Sequence, residues 1–219
     1  EQAPRGAVRL HGERGGTATV FDVPKGPEWD ARVQPRMAAD LLQTYVEGRQ
    51  KVEAGDVESG VALWDQLVRR VEPQTTPGLR SWLLLQISEA WFKGKQRDKA
   101  RSALQTALTE ARDPQTQVVL WEALGKSYKQ ASEMTRAEES LRSALEIGET
   151  AWGESLQIAG TLARLADVLR LQNRLDEAAK LHERALEIRE RRAPDSLELA
   201  NSLDQLSAVA WARGDLETM

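Results

Sequence analysis

The chain has 219 residues, 41% of them hydrophobic and 29% charged, with a formal net charge of −4. That is the composition of a folded chain, and slight acidity is the wrong sign for a surface built to grip nucleic acid. Cysteine is absent, which removes disulfides and thiolate chemistry, and no apolar run is long enough to span a membrane.

Residues 1–34 form a segment of their own. Val8-Arg9-Leu10-His11-Gly12-Glu13 and Thr17-Ala18-Thr19-Val20-Phe21-Asp22-Val23 are β-rich and flank Arg14-Gly15-Gly16. That spacing predicts a short β-hairpin, ended by Pro24, Gly26 and Pro27. The N-terminal Glu1-Gln2-Ala3-Pro4-Arg5-Gly6 has no apolar signal core.

From residue 35 to residue 219 one pattern recurs, with its first position at Leu41, Ser81, Val118, Ala159 and Ala200. Position 8 is small throughout: Gly48, Ser88, Gly125, Ala166 and Ser207. So is position 20, at Gly60, Ala100, Ala137 and Ala178. Position 24 carries Trp64, Leu104, Leu141 and His182; position 27 carries Leu67, Ala107, Ala144 and Ala185. Such a pattern serves two antiparallel helices in close contact. Small residues let the backbones approach, and bulky ones fill the space around them. One hairpin cannot bury its apolar face alone, so hairpins stack. Gly55-Asp56, Gly94-Lys95 and Gly214-Asp215 are helix-stop chemistry at the expected places. Glu47 and Lys51 occupy normally apolar positions of the first repeat, which predicts a frayed or capping hairpin, and Pro73 to Pro77 a looser joint after it.

Trp121-Glu122-Ala123-Leu124-Gly125-Lys126-Ser127-Tyr128 has the W-x-x-L-G-x-x-Y form of a tetratricopeptide first helix. The chain therefore resembles the tetratricopeptide repeat family. Leu175-Asp176-Glu177-Ala178-Ala179-Lys180-Leu181-His182-Glu183-Arg184-Ala185-Leu186 and the Arg192-Ala193-Pro194-Asp195-Ser196 linker resemble its longer, kinesin-light-chain-like repeats. The resemblance implies an all-α right-handed superhelix of stacked antiparallel hairpins, about four and a half repeats over 35–219. The last is truncated. It also implies a bacterial protein in which such repeats accompany other domains. Glu1 is no initiator methionine, and the chain ends at Met219 where another helix is due, so both ends are read as cuts in a longer, cytoplasmic protein.

Catalytic chemistry has no motif here. His11 and His182 lie on different elements, no cluster offers zinc ligands, and no phosphate-cradling glycine loop occurs. The expectation is no catalytic residue, no metal and no cofactor. His182 reads as a packing side chain at position 24. Glu138-Glu139 and Asp176-Glu177 read as solvated carboxylates in the first turns of second helices.

The resemblance implies a concave groove lined by first helices, where a protein or peptide binds. It places Lys126, Lys129, Arg164 and Arg170 in that groove, and the convergence of four cations on two neighbouring first helices is read as a receptor for an acidic segment or a C-terminal carboxylate, with Phe92 and Tyr45 as an apolar shelf. The competing reading has these cations solvated and offset by Glu122 and Asp167. The family's chaperone-binding clamp needs asparagines, and Asn173 and Asn201 do not stand at its positions. Nucleic acid and membrane are not expected partners. Leu203, Leu206, Val209 and Ala210, deprived of an inner helix, could pair with another copy. Two functions follow: a binding scaffold within a larger bacterial protein, or an intramolecular arm that regulates an attached kinase or CHAT-type protease domain.

Overall fold

A computed structural model describes residues 8–14, 17–23, 37–72, 78–194 and 196–214. The chain divides into two compact units, residues 1–36 and 37–219. The Gly15-Gly16 turn, the proline-bearing stretch up to Pro35, the Pro73 to Pro77 linker and the chain after Gly214 lie outside the described residues.

In the first unit, strands β1 (Val8–Arg14) and β2 (Thr17–Val23) pair antiparallel. The register runs from Val8 opposite Val23 to Arg14 opposite Thr17, so the two segments read as strands are paired along their length.

The second unit is a solenoid of helical hairpins. Its described helices are α1 (Ala39–Glu53), α2 (Val57–Arg70), α3 (Leu79–Lys93), α4 (Arg97–Glu110), α5 (Pro114–Gln130), α6 (Met134–Trp152), α7 (Leu156–Leu171), α8 (Leu175–Arg192) and α9 (Leu197–Arg213). Several starts are written locally. Asp56, Asp113, Ser155 and Ser196 each accept a hydrogen bond from the backbone N–H three residues on, and Pro114 occupies the first turn of α5.

The turns within hairpins share one backbone device. Position 15 of every repeat has positive φ: Gly55 (92°), Lys95 (60°), Ser132 (62°), Asn173 (61°) and Gly214 (82°). In four of them the following amide donates back across the turn, from Asp56, Gln96, Glu133 and Arg174 to Lys51, Trp91, Tyr128 and Leu169 carbonyls at 2.8–2.9 Å. At the second turn the left-handed residue is Lys95 rather than its glycine neighbour, since Gly94 has φ −75°. The ring closure demands a left-handed residue at one fixed place, and Gly94 stands one residue early.

The small positions meet as the pattern requires. A Cβ on Gly60 would lie 2.6 Å from the Gly48 carbonyl oxygen, and one on Gly125 would lie 2.7 Å from Leu141 Cγ. Ala100, Ala137 and Ala178 are fully buried. The core runs along the array: one cluster from Tyr45 to Leu124, another around Ala137, Leu165 and Val209, and a third around Ile158 and Ile188. Tyr128 packs against both of the first two.

Two expectations change. The first hairpin is not frayed. Tyr45, Val52, Trp64 and Leu67 are buried, the Trp64 Nε1 donates to the Tyr45 carbonyl at 3.0 Å, and Glu47 and Lys51 are simply exposed. On α9, Val209 is fully buried against the preceding hairpin and Leu206 and Ala210 are half-buried, whereas Leu203 is 50% and Trp211 70% exposed. Among the described residues no helix is long and apolar enough to cross a membrane.

Candidate functional site

The four cations assigned to the groove stand on two first helices, α5 and α7. Lys126 and Lys129 are three apart and share a face of α5. On α7, Arg164 and Arg170 are separated by six residues, and Asp167 lies midway.

Two of the four are engaged across the repeat boundary. Arg164 Nη1 donates to Glu122 Oε1 at 2.9 Å, and the same carboxylate oxygen accepts from the Thr161 hydroxyl at 2.6 Å. Lys129 Nζ lies 3.7 Å from Asp167 Oδ2. Each pair joins α5 to α7, so these contacts fix the spacing of neighbouring first helices. The other two have no such partner: neither Lys126, which is exposed, nor Arg170, which is half-buried, forms an ion pair among the described residues.

The apolar shelf does not form as expected. Tyr45 is 4% exposed, with its ring stacked on Trp64 at 5.4 Å and tilted against Trp82 at 5.0 Å. Its hydroxyl meets Gln86 Oε1 at 3.4 Å. Tyr45 is a core residue of the first hairpin, because Trp64 at the bulky position and Gly48 at the small one draw its ring inward. Phe92 is half-buried and lines a cleft of about 530 Å³ together with Lys95, Arg97 and Gln130.

Sequence reasoning missed the junction behind the α7 face. Arg189, on α8, is 8% exposed, and among the described residues its side chain makes one hydrogen bond, from Nη1 to Ser202 Oγ on α9. Burial lowers its pKa from the ordinary arginine value; Glu198 counters that, and Arg164 adds to it. His182 is 1% exposed, and neither ring nitrogen has a hydrogen-bond partner. Burial lowers its pKa as well, Asp167 pulls it up, and Arg170 and Arg189 push it further down. Gln205 Oε1, on α9, is likewise buried without a partner. An arginine in a second helix carries no groove signature, so only its i, i+7 spacing from His182 hinted that the two share a face.

A second cleft, of about 510 Å³, opens between α4 and α6 over α5, floored by Trp121, Leu124 and Tyr128. Arg101 lies over the Tyr128 ring at 4.5 Å and pairs with Glu133 at 2.8 Å. Among the described residues no group of three His, Cys, Asp or Glu side chains could hold a metal ion.

The tetratricopeptide repeat family profile matches residues 157–218, the fourth repeat and what is present of the fifth. Among solved structures, BtubC (BKLC) from P. vanneervenii superimposes with a TM-score of 0.70 at 22% identity, covering 81% of this chain and 74% of that one. A putative kinesin light chain of nearly identical TPR-like repeats from Podosopora anserina gives 0.64 at 18% identity, over 82% of this chain and 89% of that one. The apo form of RapI gives 0.69 at 17% identity, over 82% and 66%. At these identities the likeness is one of fold. Among curated proteins none matches the chain.

Proposed function

Taking the chain as a tetratricopeptide-type repeat protein with the fold of kinesin-light-chain-like arrays, we propose that it is a non-catalytic scaffold segment that holds another polypeptide against its first helices. The fold class is one that mediates protein–protein contact and is generally non-catalytic. The segment recognised is acidic or ends in a carboxylate, and Lys126 and Arg170 receive it.

One observation carries this reading. Of the four cations on α5 and α7, two are spent on Glu122 and Asp167 and two are left without a carboxylate. The ion pairs tie the two helices together, and of the unspent charges Lys126 is exposed and Arg170 half-buried. Phe92 supplies apolar surface one repeat away. Self-association through Leu203 and Trp211 on α9 belongs to the same reading, and a concentration-dependent mass in sedimentation would reveal it.

The test is a pull-down from source lysate with the wild type beside Lys126→Glu/Arg170→Glu. A partner captured by the first and lost by the second supports the reading. Equal capture by both refutes the role of these cations. No capture by either favours the intramolecular arm, whose partner is an attached enzyme domain of the same protein.

A further inference from the structure

The junction of α7, α8 and α9 gathers buried polar groups that the fold leaves unsatisfied. Arg189 has a planar fork of N–H donors; among the described residues it uses one of them, on Ser202, and the others are not sealed from solvent. Ser202 in turn gives its own proton to the Glu198 carbonyl at 3.0 Å, so its hydroxyl offers no negative charge. No carboxylate forms an ion pair with Arg189 among the described residues. Two helical turns earlier on the same face, His182 has two orphaned nitrogens; one turn beyond Ser202, Gln205 has an orphaned Oε1.

The preceding junction shows what is missing. Between α5 and α7, repeat positions 5 and 6 are filled by Glu122 and Arg164, which pair. Between α7 and α9 the same two positions are Ala163 and Gln205. A carboxylate that closes one junction is replaced at the next by a methyl group, while a cation has been added behind it. Arginine stays protonated inside proteins, so it cannot escape the cost of burial by losing its charge. A largely buried cation whose one protein acceptor is a neutral hydroxyl, and whose neighbour Glu198 acts on it without forming an ion pair, offers its remaining donors to an oxyanion from outside the fold.

We propose that this junction is a carboxylate-binding subsite, in which Arg189 is the inner anchor for a carboxylate of the bound polypeptide. The carboxylate enters beside Ala163, takes the unused N–H donors of Arg189, and can also accept from the Gln205 amide nitrogen once that side chain turns over. Arg164 and Arg170, close enough to bear on Arg189 and His182 electrostatically, make the approach attractive to an anion. This rests on the reading above that the first-helix face binds an acidic segment, and it places one carboxylate of that segment.

The probe is a fluorescein-labelled hexaglutamate peptide, titrated by anisotropy at low ionic strength. Arg189→Met keeps the aliphatic bulk and removes the charge. Its affinity for the peptide falls about tenfold or more, while its urea midpoint without peptide holds or rises. Arg112→Met, which removes an exposed cation outside the groove and both clefts, weakens binding by about twofold or less. If Arg189→Met binds like wild type and its urea midpoint falls, Arg189 is a structural tie to Ser202 and the subsite is wrong. If Lys126→Glu/Arg170→Glu abolishes binding and Arg189→Met does not, the groove reading stands and this inference falls. A wild type that does not bind hexaglutamate overturns both.

Discussion

Replacing His182 with leucine is expected to stabilise the array. His182 fills the bulky position 24, where the other hairpins carry Trp64, Leu104 and Leu141. Its imidazole is 1% exposed, and both nitrogens lack partners. A buried polar group without a hydrogen bond costs about 1–3 kcal/mol, and leucine of similar bulk removes that cost while keeping the apolar contact. We expect a gain of about 1–3 kcal/mol at pH 7.5, read from urea melts with an unchanged slope. The pH dependence follows from the lowered pKa of His182. The unfolded imidazole takes up a proton near pH 6.5, and the folded one only at lower pH. Between those values the unfolded state holds the extra proton. Stability of the wild type therefore falls with pH by about 1.4 kcal/mol per unit in that window, and His182→Leu lacks this slope. A loss of stability in His182→Leu at pH 7.5, together with an unaltered slope below pH 6.5, would refute the argument and show the nitrogens to be satisfied by solvent.

Other perturbations test the scaffold. Gly60→Ala places a methyl 2.6 Å from both the Gly48 carbonyl oxygen and Val52 Cγ2, and should cost about 2 kcal/mol or more in thermal or urea unfolding. Ser132→Gly relieves the positive φ of 62° in the α5–α6 turn, and should raise stability by about 0.5–1 kcal/mol even though glycine loses more entropy on folding. Glu110 meets the guanidinium of Arg80 with both oxygens, at 2.8 and 2.9 Å, while Arg80 also donates to the Val68 and Val71 carbonyls at the end of α2. Those hydrogen bonds hold the Glu110 pKa below the usual carboxylate value. Its contribution is complete above about pH 4.3 and is lost as pH falls further, so Glu110→Gln should cost about 1–2 kcal/mol at pH 7 and flatten the acid limb of the stability profile.

The repeat was legible because close packing constrains residue size. Only small side chains fit where Gly48 meets Gly60 or Gly125 meets Ala137, and that constraint survives in the letters at a fixed spacing. The turn device was legible only where glycine marked it; Lys95, Ser132 and Asn173 adopt the same conformation without a sequence signal, because ring closure imposes it. Spacing placed the four cations on neighbouring helices, but it could not tell which would be neutralised, since that depends on Glu122 and Asp167 reaching across a repeat boundary. Tyr45 was misplaced because a position on the helix wheel fixes direction, whereas its burial depends on two tryptophans from other helices. Arg189 was invisible for a related reason: surface-type residues read as solvated until the packing encloses them.

The cleft over Trp121 has a mechanical meaning. Between α6 and α8, the pairs Arg174–Glu138, Arg184–Glu149 and Arg191–Glu154 (with the glutamate at the α6–α7 connection) tie the outer surface along its length. Between α4 and α6 the Arg101–Glu133 pair stands at one end, and the remainder is open. A rod of stacked units yields where the fewest bonds cross a seam. Bent around a load, this array would open along the α4–α6 seam more readily than along the α6–α8 seam, with Tyr128 at the pivot.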